Sequence, residues 1–218
     1  YTTLFRSPQP ESMAEDYSLW ARKHSLEEIH AEIHAERMML KWPHRPRFLI
    51  LMPIVQGQEE RVARTIASLE KLFYKQWQII FLADFEAPAD VFHDSEVLGW
   101  LRLDSLEDEL FTAALNALLS DVECDWLTLL PPGTEFSPNA LLSLGDYSFL
   151  HREWHAIYTD HDQITLSGER YGPKFKPDFN LDYLRSMDYI GPSCWFRRES
   201  LLEIGGFTAY PGAWHFDA

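Results

Sequence analysis

Alternating apolar runs and amphipathic segments predict an α/β domain, a layered sandwich around a mostly parallel central sheet. Three observations carry that expectation. Residues 48–55 (FLILMPIV) are an unbroken apolar run and residues 77–82 (WQIIFL) a second, mainly apolar one, as expected of buried parallel strands. Between them, residues 58–73 place Val62, Ile66, Leu69 and Phe73 at helical spacing, which makes a βαβ unit with a right-handed crossover. The alternation then continues with a strand at 98–103, a helix at 105–119 and a strand at 126–130.

Taken in order, residues 1–45 read as an N-terminal helical arm. Ser25 and Glu28 have capping-box spacing, and Leu26, Ile29, Ile33 and Leu40 fall near one helical face. The tetrad Ile-His-Ala-Glu occurs twice in succession, setting His30 and His34 four apart. That spacing suits a shared metal ion or, more simply, a solvated face. Trp42-Pro43-His44-Arg45-Pro46 stops the helix. Residues 46–218 form the second unit. Within it Ser105 and Asp108 pair as a helix cap, residues 131–134 (PPGT) turn the chain, and Ser137-Pro138 opens another helix. A strand at 156–158, a Gly-containing turn, a helix at 181–187 and a short strand at 194–196 complete the pattern.

Composition narrows the function. A chain of 218 residues is long enough for one such domain with an appendage. The formal charge of −15 argues against a nucleic-acid partner, whose footprint is a basic patch. Only Cys124 and Cys194 are present, 70 positions apart, which makes neither a zinc pattern nor a disulfide framework and points to a reducing cytoplasm. The longest apolar run falls far short of the roughly 20 residues of a membrane helix, and Tyr1-Thr2-Thr3 does not open a signal peptide.

In open α/β sheets, ligands sit beyond the carboxyl ends of the strands. That rule marks Val55 and Gln56, Ala83 and Asp84, residues 131–134 and residues 160–162. At the last of these, Asp160 and Asp162 alternate on an extended chain, so both carboxylates can meet one ion.

Residues 156–207 carry a series of motifs: Tyr158-Thr159-Asp160-His161-Asp162, Phe175-Lys176-Pro177-Asp178-Phe179, Asp188-Tyr189-Ile190-Gly191, Arg197-Arg198 and Gly205-Gly206-Phe207. In this order they resemble family 2 glycosyltransferases, especially the bacterial O-antigen and rhamnosyltransferase-like branch. The resemblance runs from about residue 46 to the end. It implies a nucleotide-diphospho-sugar transferase (GT-A) fold, a three-layer sandwich. It also implies inverting transfer of a sugar from a nucleotide-sugar donor to a glycan or lipid-linked acceptor, at the inner face of the membrane.

The same resemblance implies site residues and shows departures from the family. Pro53, Val55 and Gln56 stand where the family has Pro-x-Tyr-Asn, and Asp84 keeps one of two paired aspartates at the second strand end. With Asn116 and Lys176 these are the expected nucleotide-sugar contacts. The family's metal-binding Asp-x-Asp is replaced by Pro131-Pro132-Gly133, so a divalent cation (Mn or Mg) is expected, if anywhere, on Asp160 and Asp162. Lys174, Lys176, Arg197 and Arg198 are the alternative means of neutralising phosphate. His215 occupies the place of the catalytic base and Asp217 that of the second aspartate after it. The family core continues beyond the equivalent of Ala218, which implies a piece of a longer protein with other domains. With these losses, two readings stay open: a working transferase domain, or an impaired domain of the same fold serving as a glycan- or nucleotide-binding or scaffolding module.

Overall fold

The computed structural model describes residues 17–21, 23, 28–88 and 95–208. Residues 17–21 are helical, and α1 (Glu28–Lys41) follows. Ser25 and Leu26 lie outside the described residues, as do the side chains of Glu28, Ile29 and His30, which leaves Ile33 and Leu40 of the expected face. The remaining predicted face of α1 is not the one that packs. Ile33 and Leu40 are exposed, while Met38 and Trp42 reach the core. Trp42 ends the helix with its N–H on the Met38 carbonyl and its indole N–H on Asp146 Oδ1 at 2.9 Å.

The elements that follow are β1 (Phe48–Pro53), α2 (Glu59–Glu70), β2 (Trp77–Ala83), β3 (Leu98–Arg102), α3 (Asp108–Asp121), β4 (Trp126–Leu129), α4 (Ala140–Leu150), β5 (Ala156–Tyr158), β6 (His161–Ile164), β7 (Arg170–Lys174), α5 (Leu181–Ser186), β8 (Cys194–Arg197) and α6 (Arg198–Glu203). A six-stranded sheet runs β3-β2-β1-β4-β8-β5. The pairs β2–β3, β1–β2 and β1–β4 are parallel, and β8 runs antiparallel to both β4 and β5. β6 and β7 form a separate antiparallel hairpin, where the sequence suggested only a turn.

The expected sandwich follows from strand alternation. Phe48, Ile50 and Met52 face a core completed by Leu69 of α2, Leu141 of α4 and Trp42. Leu49 and Leu51 face the opposite core with Phe111 and Leu115 of α3 and Leu201 of α6. Two starting signals act a few residues from their predicted places. The Ser105 hydroxyl accepts the Glu107 N–H ahead of α3, and Ser137 opens a turn before α4, its carbonyl accepting the Ala140 N–H. Gly145 of α4 leaves room for Trp42, whose ring stands 2.8 Å or less from where a Cβ would be. Cys124 and Cys194 are both held as thiols, pushed up to about 12 chiefly by burial.

Candidate functional site

β1, β2 and β4 are parallel, so their carboxyl ends share one edge. β5 is antiparallel to β8, which is antiparallel to β4, and therefore ends at that edge too. After Pro53 the chain leaves β1 through Val55, Gln56 and Gly57, the last at φ +85°, a conformation that glycine adopts without strain. The Val55 N–H donates to Gln58 Oε1 and the Gly57 N–H to Glu59 Oε1, which ties the turn to the start of α2. Pro53 is in register with Leu82, so Val55, Gln56 and Asp84 leave neighbouring strands at one level. Gln56 and Asp84 are exposed, and among the described residues neither side chain has a hydrogen bond or ion pair.

Beyond β4, residues 131–136 are fastened to α2. Thr65 Oγ1 accepts the Gly133 N–H at 3.1 Å, and Ser68 Oγ accepts the Phe136 N–H at 3.1 Å. One turn toward the start of α2, the stem of Arg61 lies across Gly133; a Cβ there would sit 3.6 to 3.8 Å from the Arg61 Cβ, Cγ and Cδ. Arg64, on the same helical face, donates through Nε to Glu135 Oε1 at 2.8 Å and through Nη2 to the Thr165 carbonyl at 3.3 Å. Glu135 is therefore already neutralised.

The β6–β7 hairpin gives Asp160 and Asp162 different partners. Asp160 Oδ1 accepts the Lys176 backbone N–H at 2.8 Å. Asp162 takes Arg170 in a two-point pair, Nε to Oδ2 at 2.6 Å and Nη2 to Oδ1 at 3.1 Å, and its Oδ2 also accepts the Tyr17 hydroxyl at 2.5 Å. Burial and the bond to this carboxylate push Tyr17 up to about 12. The Lys176 ammonium donates to the Ile190 carbonyl and the Ser193 hydroxyl, clamping the loop before β8. Its burial lowers its pKa. His161 is lowered as well, by burial first and then by Lys176 and Lys174.

Other expected residues lie apart from this edge. Both amide atoms of Asn116 are engaged with Phe207: Nδ2 donates to its carbonyl and Oδ1 accepts its N–H, each at 2.8 Å. The side chain thus locks Gly206-Phe207 onto α3. Arg197 and Arg198 stand at the opposite edge of the sheet, since Arg197 pairs with Trp126, the first residue of β4. Their guanidinium groups donate to the carbonyls of Trp154, Arg152, Leu119 and Ser120, so a phosphate at the carboxyl edge is out of their reach. His215 and Asp217 lie outside the described residues. Arg61 and Arg64 escaped the sequence reading, although two arginines three apart just inside a helix that starts at a strand's carboxyl end are a legible signal.

Solved structures with this arrangement include Staphylococcus aureus TarS 1–349 in complex with UDP-GlcNAc, with a TM-score of 0.54 and 12% identity over 74% of this chain and 48% of that one. Another is the mannosyltransferase PcManGT from Pyrobaculum calidifontis in complex with GDP-Man and Mn²⁺, at a TM-score of 0.52 and 13% identity over 95% of this chain and 62% of that one. The chain has the fold of the GT-A nucleotide-sugar transferases. In sequence it is 29% identical over 204 residues to the O-antigen biosynthesis protein RfbC of Myxococcus xanthus, and 26% identical over 184 residues to the uncharacterized protein y4gI of Sinorhizobium fredii. Those stretches are 91% and 79% of this chain but only 16% and 20% of the two relatives, so the chain spans a minor part of their length. It matches no protein-family model.

The Mn²⁺ in the PcManGT complex raises the question of a cation on this GT-A fold. A hard divalent ion needs several oxygen ligands free to converge. Here the β4 end offers Pro131, Pro132 and Gly133, Glu135 is bound by Arg64, and Asp162 is bound by Arg170 and Tyr17. Among the described residues no three His, Cys, Asp or Glu side chains are grouped to hold a metal ion. Among the described residues these donors, with Asp160 bonded by the Lys176 N–H and Asp84 standing alone at the end of β2, do not converge as a divalent cation needs. Nor is any helix among the described residues long and apolar enough to cross a membrane.

Proposed function

We propose that this chain is a family 2 glycosyltransferase domain that transfers a sugar from a nucleotide-sugar donor to a surface-polysaccharide acceptor, with inversion. The acceptor hydroxyl oxygen bonds to the anomeric carbon as the bond from that carbon to the diphosphate breaks. The electron pair leaves with the nucleoside diphosphate, and the hydroxyl proton passes to a base. In this reading Pro53, Val55, Gln56 and Asp84 hold the base and ribose. His215 takes the proton, with Asp217 beside it. Asn116 and Lys176 act on the donor indirectly, by holding residues 205–207 and the loop before β8. The acceptor is a glycan, free or lipid-linked, met at the cytoplasmic face of the membrane, and the domain works within a longer protein.

One observation carries the reading: two polar side chains that the fold does not use, Gln56 and Asp84, stand together where neighbouring strands of a parallel sheet end. The O-antigen role named for RfbC and the UDP-GlcNAc and GDP-Man bound by TarS and PcManGT support the same choice of ligand.

Calorimetric titration of UDP, GDP, dTDP and CDP tests it. One nucleotide should bind, and Asp84→Ala should weaken that binding about fivefold, the worth of one hydrogen bond. An unchanged dissociation constant would remove Asp84 from the site.

The engaged carboxylates favour a second reading, a module that binds nucleotide or glycan without turnover and scaffolds an active domain elsewhere in the protein. A donor-dependent glycosylated product from the full-length protein, lost on His215→Ala with donor affinity retained, would decide for the transferase.

A further inference from the structure

We infer that Arg61 takes the place of a metal ion at the donor diphosphate, making nucleotide binding by this domain independent of divalent cations. The inference rests on the donor-binding reading above and concerns only how the diphosphate charge is met.

The need for a local cation is electrostatic. The chain carries a formal charge of −15, so its long-range field repels a diphosphate. Some positive group at the carboxyl edge must offset that repulsion, and most candidates there are committed. Arg64 is spent on Glu135 and the Thr165 carbonyl, and Arg170 on Asp162. Lys176 is spent on Ile190 and Ser193, and Arg102 on Glu86.

Arg61 differs from all of these. It is exposed, and among the described residues its guanidinium has no ion pair or hydrogen bond. Its position is nevertheless fixed. The stem rests on Gly133, and Thr65, one turn on, holds the Gly133 N–H, so helix and loop are buttoned together directly beneath it. Arg61 lies in the first turn of α2, which begins at the crevice, so its free head reaches the end of β4. Pro131, Pro132 and Gly133 supply no anionic side chain there to compete with a phosphate. Glu59 and Glu60 share the turn, and Glu59 is drawn aside onto the Gly57 N–H. A guanidinium offers two parallel donors to phosphate oxygens, a geometry that an ammonium lacks.

The glycine is part of the device. Gly133 has φ +92°, which strains any other residue, and a Cβ there would only touch the arginine stem. Among the described residues Lys174 is another exposed cation near this end whose side chain has no ion pair or hydrogen bond, but it sits in the hairpin opposite His161, near the end of β5. β5 is two strands from β4, roughly 10 Å away at ordinary strand spacing.

The test uses calorimetry with UDP, GDP, dTDP and CDP in EDTA, repeated with 1 mM Mn²⁺, then inorganic pyrophosphate as a competitor. Wild-type protein should bind one nucleotide in EDTA, with Mn²⁺ changing affinity less than about threefold. Arg61→Gln should weaken that nucleotide about 10- to 100-fold, the worth of charge-assisted hydrogen bonds. It should abolish competition by pyrophosphate and leave the matching nucleoside unchanged. Arg61→Lys should recover part of the loss, and Lys174→Gln should change little. Binding abolished by EDTA, or an Arg61→Gln variant that binds the diphosphate like wild type, would overturn the inference while leaving the donor site standing. Wild-type protein that melts cooperatively yet binds none of the four would overturn both.

Discussion

At the amino ends of β1 and β4, Asp125 is used twice: Oδ1 binds His44 Nε2 at 2.9 Å, and Oδ2 accepts the Arg47 N–H at 2.6 Å. Arg197 lies over the Trp126 ring at 4.9 Å while donating to the carbonyls of Trp154 and Arg152, and Arg198 satisfies the last carbonyls of α3. At the carboxyl edge of the sheet, Gln56, Arg61 and Asp84 have no such partners among the described residues. The contrast teaches which edge the fold consumes. A cleft of about 240 Å³ does open at the amino edge, between Pro46, Asp125, Phe149 and Arg197, but its charged groups are already engaged. The carboxyl edge holds the polar groups that folding leaves over. Hydrogen-bond accounting, rather than the presence of a cleft, is what favours the carboxyl edge as the binding edge.

The amino edge should therefore respond to mutation in stability and the carboxyl edge in binding. The largest expected effect is Trp42→Ala. Trp42 packs edge-on to Tyr74 with ring centres 5.5 Å apart, fills the space kept by Gly145 and holds Asp146, so its loss should cost about 3–5 kcal/mol in urea unfolding. Nucleotide affinity measured well below the melting temperature should not change. A specific loss of binding in a protein that remains folded would break the separation of the two edges.

Next comes Gly206→Ala. Gly206 has φ +88°, and its added Cβ would stand 2.8 Å from Asn116 Cγ and closer still to Oδ1. Neighbouring Gly205 has φ +96° with nothing within 4 Å of its would-be Cβ. Gly205→Ala should cost the backbone strain alone, about 1–2 kcal/mol. Gly206→Ala adds displacement of the Asn116 amide from Phe207, for a total of about 2–4 kcal/mol. Equal costs would mean that the Asn116 clamp relaxes freely and fixes nothing.

That pair of glycines also shows how far the sequence could be read. Gly205-Gly206-Phe207 was legible as a motif, and Asn116 as a residue worth naming. The bond between them was not, because 91 positions separate Asn116 from Phe207 and only the packed fold joins them. Likewise β1 and β2 begin at their predicted residues and β4 at Trp126, since an apolar run buried on both faces has few alternatives. The β6–β7 hairpin was invisible. Its strands, HDQI and RYGPK, are polar and partly exposed, so they show no buried face to betray their period. For the same reason Asp160 and Asp162 read as a free pair. The partners of Asp162, Tyr17 and Arg170, include one 145 positions away.

The smallest expected effect sharpens the comparison at the hairpin itself. His161 is half-buried, with Nδ1 3.4 Å from Ser193 Oγ and the Gly191 backbone beside its ring. Its pKa lies below the ordinary 6.5, because burial and the charges of Lys176 and Lys174 outweigh the pull of Asp162 and Asp160. A histidine lowered in the folded state binds its proton more readily when unfolded. Stability should therefore decline as pH falls from about 6.5 toward the folded value, and the penalty should be complete below that value. Solvent near the ring keeps the slope shallow. Urea midpoints of wild type and His161→Gln, measured from pH 7.5 to 5, should thus draw together on acidification or cross in favour of the variant. A gap that stays constant with pH would mean that the ring takes up its proton in place, and that the crevice beside Lys176 is better solvated than its contacts imply.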